Sequence, residues 1–237
     1  MTRIAIIAAL PGELTPLVRA WPHERANGID LWRHPNGHWI AACAGAGQAA
    51  ATRAFAAIEE SGPIDSVLSI GWAGALRPDL ISGLAYSVTE VIDSRTGERF
   101  QTAAPGHLTL VTSPIVADAP EKRRLATAYS AALVDMEAAA IARLALMREI
   151  PFFCVKGISD GYTDQLPDFN RFMQPDGRFQ LARFVLFCIL RPWHWPALIR
   201  MGENSKRAAQ GIAKALLDIL DPRGHDTKRD GYPNHKR

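Results

Sequence analysis

The sequence has 237 residues, 48% of them apolar and 22% charged, with a formal net charge of +3. These values fit one large globular domain with a substantial core better than two small domains. Residues 221–237 hold five Lys/Arg against three Asp and so leave the body near about +1. That is too little for a phosphate-tracking surface, and no nucleic-acid partner is expected.

In chain order, Arg3 and the apolar run Ile4 to Leu10 imitate a secretory leader. Pro11-Gly12-Glu13 ends the run and no small-residue cleavage pattern follows, so the segment reads as a first strand and a cytoplasmic location is expected. A continuous apolar run over 3–9 predicts a strand covered on both faces. A short helix follows near 13–20. Pro35-Asn36-Gly37 between 29–34 and 38–43 signals a hairpin. Gly45-Ala46-Gly47 opens an Ala-rich helix reaching Glu60, and a buried strand at 66–70 runs into Gly71-Trp72-Ala73-Gly74. A strand over 85–92, a polar loop over 93–106, a strand at 108–112, a helix over 136–149 and a strand at 152–156 complete the pattern. Such alternation argues for an α/β fold with a covered mixed sheet. Residues 221–237 are polar, with two Pro and two Gly, and are expected to form a flexible tail behind a single domain of 1–220. Cys43, Cys154 and Cys188 are widely spaced and odd in number. They have no metal-ligand spacing and read as buried thiols.

In open α/β sheets ligands collect beyond the carboxyl ends of the strands, and four strand ends carry chemistry. Glu13 follows the first strand, where a carboxyl can protonate a leaving base or activate water. The alternative is a helix-start Glu favoured by the helix dipole. The segments containing Gly45, Gly47 and Gly74 let backbone N–H groups approach phosphate or sugar oxygens, although small residues also serve strand-to-helix packing. Val134-Asp135-Met136-Glu137 brings two acids and a Met to a helix start. A carboxylate there accepts hydrogen bonds from a ribose diol, and Met136 covers the sugar's apolar face. Capping by Asp135 would explain that residue alone and not Glu137. Ser159-Asp160 ends the strand at 152–156. Asp160 can exchange a proton with a purine ring nitrogen while Ser159 positions it, or the pair can be an ordinary turn and cap.

Taken together, IAIIAALPGELTPL, AGAGQAAA, SIGWAGAL, VDMEAAAIARLA and PFFCVKGISD, spanning residues 4–160, resemble the purine nucleoside phosphorylase and nucleosidase superfamily in its 5′-methylthioadenosine/S-adenosylhomocysteine nucleosidase branch. The resemblance implies a three-layer α/β/α fold with a central mixed sheet, a homo-oligomer, and cleavage of the N-ribosyl bond of an adenine nucleoside. Glu13 would activate the attacking water. Met136 and Glu137 would hold the ribose, and Asp160, supported by Ser159, would protonate adenine at N7. Gly45, Gly47 and Gly74 would line the nucleophile side. No metal or organic cofactor is implied. Phosphate is a possible co-substrate, for which Arg77, Arg33 and Arg53 are candidate clamps. The alternatives are phosphorolysis of a nucleoside with another base, and a nucleoside-binding protein without turnover. The chain departs from the nucleosidases in having Lys156 where they usually carry Arg, Trp72 where they carry Ser, and a shortened region 93–118 with Val116 near the place of their base-stacking loop.

TSPIVADAPEKRRLA and RPWHWPALIRMGENSKRAAQGIAKAL resemble hopanoid-associated phosphorylases, which implies adenosylhopane as a substrate. Overlapping the start of the second region is LARFVLFCILRPWHW, residues 181–195, too short and too interrupted to span a bilayer. Flanked by Arg183, Arg191 and Arg200, it reads as a core or subunit-interface helix, with contact at a membrane surface as the competing expectation.

Overall fold

In the computed structural model, which describes residues 3–174 and 179–220, the first apolar run is strand β1 (Ile4–Ala8), buried along nearly its whole length. Helix α1 (Pro11–Val18) begins on Pro11, whose fixed φ suits a first helical position. The hairpin signal is realised as β3 (Ile29–Arg33) and β4 (Trp39–Cys43), preceded by an exposed edge strand β2 (His23–Ala26). Helix α2 (Gln48–Glu60) and strand β5 (Ser66–Ala75) follow. Gly71 to Gly74 therefore continue the strand rather than leaving it.

Beyond β5 the chain is more finely divided than its sequence suggests. The single strand expected over 85–92 is two, β6 (Ala85–Val88) and β7 (Glu90–Asp93), and the polar loop contains β8 (Arg99–Gln101). Strand β9 (Thr109–Thr112) leads to a helix not foreseen, α3 (Ala119–Tyr129), then to β10 (Leu133–Asp135), α4 (Ala138–Met147) and β11 (Phe152–Asp160). Helix α5 (Leu181–Ile189) and the long α6 (Trp195–Leu220) close the described chain. The tail at 221–237 lies outside the described residues.

The strands form one mixed sheet in the order β2-β3-β4-β1-β5-β10-β9-β7-β8, with β11 and then β6 along the other edge of β5. Strand β1 runs parallel to the first half of β5, Ile7 opposite Ser69. Strand β10 runs antiparallel to its end, Val134 opposite Gly74. The carboxyl ends of β1 and β10 therefore face each other across residues 70–73 of β5. Strand β11 lies parallel to β5 on the opposite side and slips register between Ile158 and Asp160, where two residues advance against one. Such bulges re-aim side chains.

Alternation along the strands divides the core. Ala5, Ile7, Val67 and Ala73 pack with Phe55 of α2 and Ile141 of α4. Ile6, Leu68 and Ile70 pack with Leu14 of α1 and Ile212 of α6. The period of two thus places helices on both faces, the three-layer α/β/α arrangement. Helix α3 packs through Leu125 against Leu76, Ile92 and Val111. Cys43 and Cys154 are buried, and burial pushes both thiols up to about 12. Cys188 is only half-buried and lines an apolar groove, contrary to expectation.

Candidate active site

Glu13, Met136, Glu137, Ser159, Asp160 and Gly74 all line one cavity of 170 Å³ at the meeting of the strand ends. Residues from four distant parts of the sequence are brought together because β1, β5, β10 and β11 end or bend at this one place.

Glu13 lies on the first turn of α1 and is 4% exposed. Its Oε2 accepts the backbone N–H groups of Ala9 and Leu10, both at 2.8 Å, and its Oε1 accepts that of Trp72 at 2.7 Å. The bond to Leu10 is the one a helix-start Glu makes to its N-cap. The bond to Trp72 crosses to β5 and turns the carboxylate toward the cavity. Three of about four lone-pair positions are occupied, leaving one on Oε1 for a water. Burial raises the carboxyl above its ordinary value, against the lowering pull of these N–H groups and of Lys156. Gly71 is required here. Its φ is +137°, and a Cβ would stand 2.7 Å from Glu13 Oε1.

Asp135 and Glu137 divide their duties. Asp135 accepts from Ala138 N at 2.9 Å and Thr112 Oγ1 at 2.7 Å, and pairs with buried Lys156 Nζ at 2.9 Å. It holds the first N–H of α4 from two residues before the cap position, which Glu137 occupies without a capping bond of its own. Glu137 accepts from Gly47 N at 2.6 Å and Met136 N at 3.2 Å. Roughly two acceptor positions remain for hydroxyl groups. Burial, then repulsion from Asp135, pushes Glu137 up to about 8, against the pull of Lys156 and the Gly47 N–H. For Lys156, burial pulls downward, but Asp135, Cys154 and Glu137 hold the ammonium above its usual range.

A stability prediction arises from Glu137. A carboxyl raised in the folded state binds its proton more tightly there than in the unfolded chain. Its contribution is therefore complete below about 4.5 and is lost as pH rises toward about 8. Thermal melting of the unliganded protein should fall across this window, and Glu137→Gln should flatten the fall. An equal slope in both proteins would contradict the assignment.

At the far end, Ser159 sits in the β11 bulge and donates to Asp160 Oδ1 at 2.6 Å. Asp160 Oδ2 is paired with Lys122 Nζ, and Lys122 also donates to Gly161 O at 2.6 Å. Lys122 comes from the unforeseen α3 and is 1% exposed. A Cβ at Gly74 would stand 3.1 Å from Lys122 Cε and 3.2 Å from Asp160 Oδ2, so this glycine makes room for the pair. A signal for α3 was present. Asp118 accepts from Glu121 N at 2.9 Å with Pro120 in the first turn, an N-terminal signature readable as Asp-x-x-Glu.

Other expected residues lie elsewhere. Gly47 reaches the site through its N–H on Glu137, whereas Gly45 hydrogen-bonds Ala9 O and does not line the cavity. Arg77 is outside the lining, its guanidinium forked onto exposed Asp79 at 2.9 and 2.6 Å, which corrects its expected place as a phosphate clamp. Arg33 pairs with Glu24 on the β2–β3 hairpin, and Arg53 donates to Ala44 O.

A second cavity, an apolar groove of 1110 Å³, runs between α1, α5 and α6. Trp72, Phe169 and Met201 line both cavities. The Trp72 ring lies over Gly12 and donates its indole N–H to Ser205 O of α6 at 2.9 Å.

The acid-lined cavity at the carboxyl ends of a mixed three-layer sheet defines the nucleoside phosphorylase and nucleosidase class of fold. Solved structures agree. The chain is similar to 5′-methylthioadenosine/S-adenosylhomocysteine nucleosidase of Helicobacter pylori in complex with butyl-thio-DADMe-Immucillin-A, with 17% identity, 94% of this chain and 99% of that chain covered, and a TM-score of 0.69. It is also similar to futalosine hydrolase of the same species, at 16% identity with 93% and 98% covered and a TM-score of 0.69. For 5′-methylthioadenosine nucleosidase of Arabidopsis thaliana the identity is 15%, coverage 94% and 97%, and the TM-score 0.71. Residues 96–186 match the family model for the Phosphorylase superfamily. Residues 96–186 thus carry a match to the Phosphorylase superfamily, and the fold of the whole chain is the one that these nucleosidases share. A comparison with curated protein sequences finds no match.

Proposed function

We propose that this protein is an enzyme that cleaves the N-ribosyl bond of an adenine nucleoside carrying a large apolar 5′ substituent, of the adenosylhopane type. The observation that carries the reading is the pair of adjoining cavities. One is small and holds Glu13, Glu137 and Asp160. The other is large and apolar and shares Trp72, Phe169 and Met201 with it. In this reading Glu137 and Met136 hold the ribose, Asp160 and Ser159 face the base, and the 5′ substituent lies in the groove.

Water is the nucleophile in this reading. Glu13 keeps one acceptor position for it, and among the described residues the cavity is lined by no guanidinium, the group best fitted to a phosphate. A ribosyl group with cationic character forms as the bond breaks, and the carboxylates stabilise it.

The apolar face of α5 and its surroundings fits the same substrate. Leu186, Ile189, Leu190 and Trp193 are 59–68% exposed, so the expected core placement is corrected. Among the described residues no helix is long and apolar enough to cross a membrane. We assign this face to a lipid surface from which an apolar substituent is drawn. Flotation with phospholipid vesicles tests it, and sedimentation as a dimer without vesicle binding would assign the face to a second copy instead.

The decisive assay is adenine release from 5′-alkylthio adenosines of increasing chain length, each with and without phosphate. Burial of one methylene contributes about 0.8 kcal/mol, so kcat/KM should rise roughly fourfold per carbon until the groove is filled. Phosphate should change nothing. Equal rates for all chain lengths would remove the groove from the reading, and no adenine from any substrate would remove the activity.

A further inference from the structure

The donor that serves the base need not be the residue that its position in the sequence suggests. Asp160 has both oxygens engaged, Oδ1 by the Ser159 hydroxyl and Oδ2 by Lys122 Nζ. In both contacts the carboxyl oxygen is the acceptor, and neither contact presents a hydrogen to the cavity. Lys122 has one. Its ammonium carries three N–H donors, and two are used, on Asp160 and on Gly161 O. The third has no acceptor among the described residues, and Lys122 lines the same cavity as Glu13 and Glu137. A buried ammonium that is held by a carboxylate and keeps one unused donor beside a substrate-sized space is a proton source in position.

We propose that Lys122 is the acid of the reaction, delivering its proton to a ring nitrogen of the departing purine while Asp160 acts as its positioning residue. The inference rests on the N-ribosyl cleavage read above. The bond between C1′ and the base breaks with its electron pair retained by the purine. The purine takes a proton from Lys122 Nζ, which becomes an amine. Water bonds to C1′ and gives a proton to Glu13. Solvent then returns a proton to Lys122 and removes one from Glu13, so one water is consumed in total. Asp160, with Ser159 and Gly161 O, keeps Nζ in its place beside the cavity.

The test compares two substrates with the same 5′-alkylthio group, the adenosine and the p-nitrophenyl riboside. Nitrophenolate departs without help from an acid, so only the purine needs Lys122. Arg at this position keeps the ion pair with Asp160 but does not give up a proton. For Lys122→Arg and Lys122→Met, the ratio of adenine release to nitrophenolate release should fall roughly 100-fold or more. Cleavage of the riboside also reports that each variant is folded. A ratio equal to that of the wild type, with both rates kept or both lost, would overturn the role of Lys122 while leaving the activity standing. A wild-type protein that cleaves neither substrate would overturn the activity and the inference together.

Discussion

Glu13→Gln is expected to lower kcat by roughly 10²–10⁴-fold, the usual loss when a positioned acid–base group is removed. The amide has the shape of the carboxyl, so the cavity keeps its volume, but the amide cannot take a proton from water. Its NH₂ also meets a donor. Placing the amide oxygen at Oε2, where Ala9 and Leu10 both donate, leaves the NH₂ facing the Trp72 N–H. That unsatisfied contact costs about 1–3 kcal/mol of stability. The variant should therefore melt lower and turn over slowly, with KM little changed. Steady-state adenine release and thermal melting check both parts, and a kcat close to wild type would remove Glu13 from the mechanism.

The largest loss of stability is expected from Lys156→Met. Lys156 Nζ pairs with Asp135 at 2.9 Å and donates to Ser69 Oγ at 3.1 Å, with both charged side chains buried. Breaking a buried pair on one side leaves an uncompensated charge and costs about 3–5 kcal/mol. Replacing both partners, Lys156→Met with Asp135→Asn, should recover much of the loss, because no buried charge is then left unpaired and the amide oxygen in the place of Oδ2 still accepts from Ala138 N, with its NH₂ turned to Thr112 Oγ1. Urea denaturation of the two single variants and the double variant measures the coupling. Additive losses would mean that the pair contributes nothing beyond its parts.

Much of this was legible in the sequence because the relevant signals are local. A continuous apolar run marks β1, and Pro35-Asn36-Gly37 marks the hairpin. Three of the four strand ends carry an acid just where the apolar run stops, and all three acids line one cavity. What escaped has physical reasons. Strands β8 and β10 have three residues each, too few for alternation to register. Helix α3 buries only Leu125 and Lys122 of its own residues, so no apolar stripe reveals it, and no local pattern singles out the lysine. Arg77 stands three residues after Gly74, but proximity along the chain placed it on the surface beside Asp79. That Trp72 serves two cavities depends on α6, more than a hundred residues away, and nothing near position 72 encodes it.

Trp72 has a consequence for how such a protein can diverge. Its main chain grips the carboxylate of Glu13, and its ring is wedged between the first turn of α1 and the carbonyl of Ser205. A smaller residue would keep the main-chain N–H on Glu13, but it would widen the passage toward the groove and give up the indole's bond to Ser205 O. The grip on the carboxylate therefore belongs to the backbone and survives a change of side chain, whereas the width of the passage belongs to the indole and is free to drift alone.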